Sequence, residues 1–322
     1  MKLSTTVSIP KSEISVQHQT PLLLLGSCFA ENIGNQLIDH KFDVCLNPNG
    51  IIFNPISVVN SLTRILKHQN YTLEDVKKHN GKWFSFEHHS RFSSFNQQEC
   101  LTQMNFSLNQ AHKRLKKTKT IFITFGSAWV YETKDFGIVA NCHQIPNQQF
   151  TKRLLSVKEI LIAFESIKDY LSDFQIVFTV SPVRHVKDGL HENNLSKSTL
   201  LLAINNWVEQ NENASYFPAY EIISDELRDY RFYKDDLVHP TALAINYVWE
   251  KFSETYLTEN TKELVSKIEQ LKRAVHHKPF HFESEEHQRF IVKNLQLMDH
   301  LSKKHPFLDF KEERELLQKN GK

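Results

Sequence analysis

A serine and a histidine at opposite ends of the sequence could together carry out acyl transfer. Ser27 follows the apolar run Leu22–Leu25 and Gly26, so we expect it at the turn between a buried strand and a helix. Backbone N–H groups at the start of such a helix point towards an oxygen anion formed beside the hydroxyl. The same position is typical of an ordinary helix N-cap, and the Gly-x-Ser-x-Gly elbow of α/β-hydrolases does not surround Ser27.

The string Asp236-Leu237-Val238-His239-Pro240 supplies the base that such a serine needs. The imidazole of His239 could take the hydroxyl proton, while Asp236 holds the other ring nitrogen and stabilises the imidazolium. Asp235 is an adjacent alternative for that orienting role. The string is also compatible with a plain helix start, in which Asp and His cap and solvate the helix end.

Short apolar runs that alternate with amphipathic helices predict βαβ units. The fold class that we expect is a three-layer α/β/α sandwich with a mostly parallel, doubly wound sheet. Ligands of such sheets bind where loops leave the carboxyl ends of the strands. The strands predicted after the first are 44–47, 121–125 and 175–180, and the three loop exits are Gly26-Ser27, Gly126-Ser127 and Ser181-Pro182.

Composition excludes several classes of protein. The chain has 322 residues, 40% of them hydrophobic, which is enough for a sizeable core. Lys and Arg number 39 against 37 Asp and Glu, so no charge excess favours a nucleic acid or a membrane surface as partner. Four cysteines without paired spacing disfavour a zinc ribbon or a disulfide scaffold. With no signal peptide or apolar span in the sequence, we expect a cytoplasmic protein.

We predict two regions along the chain. Residues 1–257 form the main domain, with a polar, His-rich insertion at about 71–100 that folds over the sheet edge as a candidate lid. Its residues Trp83, Phe84 and Phe86 form either a wall of the site or a small core of the insertion itself. Residues 258–322 form a helical C-terminal appendage, which either packs on the main domain or mediates homo-oligomerisation.

Eight strings together resemble the GSCFA family and, more widely, the SGNH or GDSL-like hydrolases, whose Ser, Gly, Asn and His blocks follow that chain order. They cover most of residues 20 to 255, and they are residues 26–30 (GSCFA), 47–55, 88–93, 125–131, 139–143, 181–185, 191–197 and 236–240.

The resemblance implies a flavodoxin-like fold and a serine hydrolase that cleaves a carboxylic ester, most plausibly an O-acyl or O-acetyl group on a carbohydrate or small metabolite. It places Ser27 as the nucleophile, Gly50 as an oxyanion-hole amide, and Asp236 with His239 as the acid/base pair. The implied mechanism requires no cofactor and no metal.

One position departs from the superfamily pattern. Ala128 stands where the third block normally offers an Asn amide to the oxyanion, and losing one such donor costs about 10²–10³ in rate. We expect Ser127 or Asn141 to replace it, with His89 and Asn54 as further candidates. The alternative is a catalytically impaired protein that binds acylated or glycan ligands.

Other residues suggest lower-ranked chemistry. Cys28 is a second nucleophile that could pair with His239, since a helix N-terminus lowers the pKa of a thiol. Arg184, with His185 and His191 nearby, is placed to contact substrate. The histidine pairs and their neighbours suggest a metal site, but their spacing argues against it; these residues are His88, His89, His276, His277, His281 and His287.

Overall fold

A computed structural model describes residues 4–277, 279, 281 and 283–319. Its strands, in chain order, are β1 (Leu22–Gly26), β2 (Val44–Leu46), β3 (Lys77–His79), β4 (Lys82–Phe84), β5 (Thr120–Phe125), β6 (Trp129–Thr133), β7 (Gly137–Val139), β8 (Thr151–Leu154), β9 (Gln175–Val180) and β10 (Ala214–Tyr216).

The helices are α1 (Cys28–Asp39), α2 (Pro55–Lys67), α3 (Gln97–Leu115), α4 (Val157–Glu165), α5 (Lys168–Leu171), α6 (Leu190–Gln210), α7 (Ala219–Glu221), α8 (Ala242–Tyr256), α9 (Glu259–His276), α10 (Glu285–Lys304) and α11 (Lys311–Lys319). A π-helical turn over Ile222–Leu227 follows α7. Among the described helices, none has the apolar length needed to cross a bilayer.

The central sheet has five parallel strands in the order β2-β1-β5-β9-β10. Counted by sheet strand this is 2-1-3-4-5, the flavodoxin-like doubly wound order. Side chains alternate along β1: Leu23 and Leu25 join the core under α2, α4 and α6, whereas Leu22 and Leu24 join the core under α1 and α8. The fold is therefore the predicted three-layer α/β/α sandwich, and the three predicted strand exits lie at one sheet edge.

A second, antiparallel sheet of order β7-β6-β8 lies between β5 and α4 in the chain and was not predicted from the sequence. Its strands are short and only half buried, so the alternation of apolar and polar residues is weak. Trp129 begins this sheet at the edge where β5 ends. This second sheet therefore lies beside the loops at the carboxyl ends of the central strands and forms a wall there.

The segment predicted as an insertion forms the β3-β4 hairpin and the start of α3. Its buried residues make a separate small core that includes Tyr71, Phe92 and Met104. The rings of Phe84 and Phe86 pack edge to face at 5.1 Å. Trp83 packs against this small core, whereas Phe84 and Phe86 contact His143. Phe86 also contacts Phe136 and Phe150, so the small-core alternative holds only for Trp83.

The C-terminal helices α9, α10 and α11 share a hydrophobic cluster that includes Ile268, Met298 and Leu317. Two ion pairs join this tail to the region where α1 ends, Lys272–Asp39 at 2.8 Å and Lys41–Glu313 at 2.5 Å. The tail therefore packs on the main domain. Its role in homo-oligomerisation stays a prediction.

Gly26→Ala should destabilise the fold by more than about 3 kcal/mol, because the new Cβ would lie 2.0 Å from the Thr124 carbonyl oxygen at a φ of +130°. Gly137→Ala is the matched control: it also has positive φ, but no atom lies within 4 Å of the new Cβ, so only about 1–2 kcal/mol of backbone strain is expected. Urea unfolding measures both. Equal losses of unfolding free energy in the two variants would contradict the close approach of residue 26 to the Thr124 carbonyl oxygen.

Candidate active site

A cavity of about 590 Å³ opens where β1, β5 and β9 end. Its walls are mainly apolar and aromatic, formed by Phe53, Trp129, Tyr131, Val139, Val183 and Val238 among others. Polar side chains enter it from each strand exit and from the late Asp-x-x-His loop; they are Cys28, Ser127, Asn141, Arg184, His185, Asp236 and His239. The cavity thus brings together residues that are about 200 positions apart in the chain.

Asp236 and His239 form a hydrogen-bonded pair on this cavity. The Asp236 Oδ2 and His239 Nδ1 atoms are 2.7 Å apart, and both side chains are about half exposed. The other carboxylate oxygen accepts the N–H groups of Val238 and His239 at 2.9 Å, which the left-handed Leu237 (φ +56°) makes possible. Those N–H groups, followed by the imidazole, lower the pKa of Asp236 to about 2.

This geometry fixes the direction of the hydrogen bond within the pair. An ionised Asp236 accepts the proton on Nδ1 and leaves Nε2 of His239 as the nitrogen that can take up or release a proton. Asp235, the adjacent alternative, is exposed, and no side-chain hydrogen bond of it is found in the described part of the chain. Asp236 is therefore the carboxylate placed to orient the imidazole.

Ser27 is buried beside the cavity and is not one of its lining residues. Only 1% of its surface is exposed, and its hydroxyl accepts the Phe29 N–H at 3.2 Å as the N-cap of α1. Its own N–H donates to the Thr124 carbonyl oxygen at 3.1 Å. In this conformation the Ser27 hydroxyl and amide both take part in hydrogen bonds at the start of α1, as in the capping role that the sequence also allowed, and its role as nucleophile stays a prediction.

Cys28 is the residue of the GSCFA string that lines the cavity, together with Asp236 and His239. It is the first residue of α1, so its N–H has no carbonyl partner within that helix. Burial, and then the Glu31 carboxylate, raise the pKa of its thiol, while the Lys197 ammonium and the N–H groups at the helix start oppose the rise. The thiol is therefore protonated at neutral pH and needs a base to become a nucleophile.

Gly50 and His89 pack against each other away from the residues that line the cavity. The Gly50 N–H already donates to the Asn47 carbonyl oxygen at 2.7 Å, which closes the loop before Ile51. A Cβ at Gly50 would lie 2.3 Å from the Cβ of His89, so this glycine, at φ +78°, is needed for packing. The predicted oxyanion role of the Gly50 amide is therefore not met by this geometry, since that N–H is occupied.

Three of the four candidates for the missing Asn amide line the cavity, and they differ in what their side chains already bind. The Ser127 hydroxyl lies 3.3 Å from that of Ser196 and accepts the Trp129 N–H at 3.0 Å. The Asn54 amide donates to Ser57 and to the Val139 carbonyl as part of the α2 N-cap.

Asn141 is the best placed of the three. Its Oδ1 accepts the His143 N–H at 2.8 Å, which fixes the orientation of the amide group. Within the described residues its Nδ2 has no hydrogen-bond partner, and the residue lines the cavity. Asn141 is therefore the side chain that could donate to an oxyanion.

Comparison with known proteins adds the family. A family model described as GSCFA family matches residues 21–252, and a second, described as GSCFA domain protein, C-terminal domain, matches residues 268–320. The chain belongs to the GSCFA family. Every residue that lines the cavity falls within the first match. Searches of the curated proteins and of the solved structures found no match.

The GSCFA domain also contains a buried lysine that the sequence analysis did not single out. The ammonium of Lys197 donates to the carbonyl oxygens of Gly126 and Ser181, each at 2.7 Å, and so joins the ends of β5 and β9. The one sequence signal was its spacing: Lys197 lies on the buried face of α6 with Asn193, Leu200 and Ile204. A lysine on such a stripe indicates a buried charge.

His185 is the second group near this lysine. Burial, followed by the Lys197 ammonium, lowers the pKa of His185 to about 4, so this imidazole is neutral at neutral pH. Its ring packs edge to face with Phe53 at 5.8 Å. His185 therefore lines the cavity as a neutral group, and His239 is the histidine that is paired with a carboxylate.

None of the metal sites that the histidine pairs suggested is found among the described residues: no group of three or more His, Cys, Asp or Glu is placed to hold an ion there. His88 is fully buried and lies edge to face with Tyr71 at 4.6 Å. The helix α9 ends at His276, before Pro279. His277 and His281 therefore do not share one turn of a helix.

Lys197→Met should remove part of the pH dependence of stability. Burial lowers the pKa of Lys197 to about 7, so between about pH 7 and pH 10 the unfolded chain binds the proton that the folded chain has lost. The free energy of unfolding of the wild type should therefore rise with pH across this window, and the variant should show a shallower rise. Urea unfolding at several pH values measures both slopes.

The exposed lysine Lys234 provides the control, because Lys234→Met removes a solvated charge near the same cavity and should keep the wild-type slope. Identical slopes for Lys197→Met and the wild type would mean that Lys197 is charged in the folded state over the whole range.

Proposed function

We propose that this protein is a carboxylic ester hydrolase with a nucleophile at the start of α1, His239 as the general base and acid, and Asp236 as the group that orients His239. The observation that carries the proposal is the 2.7 Å Asp236–His239 pair on the same cavity as the first residue of α1. Kinship with the SGNH and GDSL-like hydrolases is part of this proposal, since the chain order of the site residues matches theirs.

Two neighbouring residues compete for the role of nucleophile, and the geometry favours Cys28. Cys28 lines the cavity, whereas the Ser27 hydroxyl is buried and accepts a hydrogen bond as the N-cap of α1. Because burial raises the pKa of the thiol, no stable thiolate is expected, and His239 must remove the proton as the reaction begins. Cys28 therefore replaces Ser27 as the proposed nucleophile.

The proposed reaction has two steps, acylation of Cys28 and hydrolysis of the resulting thioester, and atoms and charge balance in each. His239 takes the thiol proton while the Cys28 sulfur attacks the acyl carbon; the ester C–O bond then breaks, and His239 returns the proton to the departing alcohol. In the second step His239 takes a proton from water, the resulting hydroxide attacks the thioester, and the proton returns to the sulfur as the acid leaves.

The tetrahedral intermediates of both steps carry a negative oxygen that needs donors. The Cys28 N–H at the start of α1 lies next to the reacting sulfur and is favoured by the helix dipole. The Nδ2 group of Asn141 would provide the side-chain donor that Ala128 lacks. These two donors take the place of the Ser27 and Gly50 amides, whose N–H groups already donate to the carbonyl oxygens of Thr124 and Asn47.

The shape of the cavity bears on the substrate. Its apolar and aromatic walls suit the acyl part of an ester, and a volume of about 590 Å³ exceeds what an acetyl group would fill. We therefore propose an O-acyl ester of a carbohydrate or small metabolite, with no cofactor in the reaction. No group of the proposed mechanism recognises nucleic acid or a membrane.

Cys28→Ala should lower hydrolysis of p-nitrophenyl butyrate by at least about 10², because it removes the atom that forms the acyl intermediate. Ser27→Ala should keep most of the activity and lose about 1 kcal/mol of stability, because only the α1 cap is lost. Steady-state kinetics, urea unfolding and intact-protein mass spectrometry of the acylated enzyme measure these outcomes.

Cys45→Ala is the matched cysteine control, since Cys45 lies on β2 outside the residues that line the cavity. Loss of activity in Ser27→Ala with retention in Cys28→Ala would instead establish a serine enzyme. A wild type that neither hydrolyses nor becomes acylated, yet binds acylated glycans, would favour the impaired binding protein, for which the occupied Ser27 and Gly50 amides are the supporting observation.

Asp236→Asn should lower kcat by about 10²–10⁴, because an amide at this position can present its N–H₂ group to Nδ1 and favour the wrong tautomer of His239. Asp235→Asn is the control with the same chemistry one residue earlier, and it should change kcat less than tenfold. The kinetics of both variants, with circular dichroism to verify folding, separate the two carboxylates. Equal losses would remove Asp236 from the proposed pair.

A further inference from the structure

A second cavity, of about 450 Å³, adjoins the proposed acyl-binding cavity. It lies between the start of α6 and the segment that follows α7, and Arg184 lines both cavities. Its most prominent walls are the rings of Tyr220, Tyr230 and Tyr233. One ligand could therefore occupy both cavities, with one part in the second cavity, the ester beside His239, and Arg184 between them.

Two arginines on this second cavity have no acidic partner. Within the described chain no carboxylate oxygen lies within 4 Å of the guanidinium nitrogens of Arg184 or Arg228. Asp229, the acidic residue that also lines the cavity, pairs with Arg231 at 3.0 Å. Among the described residues, the cavity therefore has two arginines without an ion-pair partner beside three phenol rings.

The two nearest rings hold Arg184 in position. Its guanidinium carbon lies 4.4 Å from the centre of the Tyr233 ring and 5.5 Å from that of Tyr230, both within the range of a cation–π contact. A guanidinium has a planar fork of N–H donors that matches two oxygens of a carboxylate or phosphate, and here the hydroxyls of Tyr233 and Tyr230 also lie within hydrogen-bonding reach of Arg184.

We propose that the second cavity binds the alcohol part of the ester substrate, and that this part is a sugar ring bearing an anionic group, a carboxylate or a phosphate. The proposal rests on the proposed function and names its substrate class. Tyrosine rings offer flat surfaces to the C–H face of a pyranose, the exposed amide of Asn194 offers hydrogen bonds to hydroxyls, and Arg184 with Arg228 would bind the anion.

The first test compares matched sugars for direct binding, by titration calorimetry and saturation-transfer NMR. D-Galacturonate should bind the wild type about tenfold or more tightly than D-galactose, which differs only in having a hydroxymethyl group in place of the carboxylate. D-Glucose 6-phosphate against D-glucose forms the phosphate arm. The arm with the larger preference identifies the anion, and equal affinity for the acidic and neutral members of both pairs would overturn the proposal.

The second test assigns the preference to residues. Arg184→Gln should abolish most of the preference for the acidic sugar, and Arg184→Lys should keep only part of it, because lysine has charge without the planar fork. Lys234→Gln, which removes an exposed charge close by, should keep the full preference. A preference that survives in the double variant Arg184→Gln, Arg228→Gln would overturn the assignment.

Activity on a neutral ester separates this inference from the proposed function. Hydrolysis of p-nitrophenyl butyrate by the wild type tests the reaction without any anion or sugar. Selective binding of the acidic sugar by a protein inactive on this ester would support the second cavity and overturn the hydrolase. Hydrolysis combined with equal binding of acidic and neutral sugars would overturn the second cavity alone.

Discussion

The close packing of backbone at the ends of β1 and β5 is the constraint on which the site depends. Gly26 lies against the Thr124 carbonyl, and Gly126 lies against the Phe53 ring and the Cβ of Ser27, at distances that leave no room for a side chain. Because these strand ends approach so closely, the first turn of α1 lies directly over the neighbouring loop. Lys197 joins the end of β9 to the end of β5, because its ammonium donates to the carbonyl oxygens of Gly126 and Ser181.

A buried ammonium is a costly way to join two strands, and its position explains why it is present. The carbonyl groups of Gly126 and Ser181 lie beyond the last pairs of the sheet, where no further strand satisfies them. A long side chain from α6 reaches both. The same charge also affects the pKa values of Cys28 and His185, although burial is the larger cause of both shifts.

The sequence was sufficient to predict the fold and part of the site. Strong local patterns, such as the leucines of β1 and the strands at 121–125 and 175–180, gave the parallel sheet and its exits. The pairing of Asp236 with His239 was also predictable, because the two residues lie three positions apart in one loop. The position of Cys28 rather than Ser27 on the cavity was not, because the direction of a side chain at a turn depends on backbone angles that local composition does not fix.

Contacts between distant segments were the least predictable. The place of Gly50 against His89 depends on two loops 39 positions apart, and the second cavity depends on α6 meeting the segment around Tyr230. The half-buried antiparallel sheet was not predicted either, because its strands show little alternation of apolar and polar residues. The resemblance to a family indicated which residue types matter, but each residue's neighbours come only from the three-dimensional arrangement.

The tail is attached at the end of α1 that lies away from the cavity. Helix α1 begins at Cys28, and twelve residues at a rise of about 1.5 Å make it a rod about 18 Å long. At the far end of that helix, Asp39 pairs with Lys272 of α9 and Lys41 pairs with Glu313 of α11. The C-terminal helices are therefore attached to the end of α1 that lies farthest from Cys28, about 18 Å from the residue that lines the cavity.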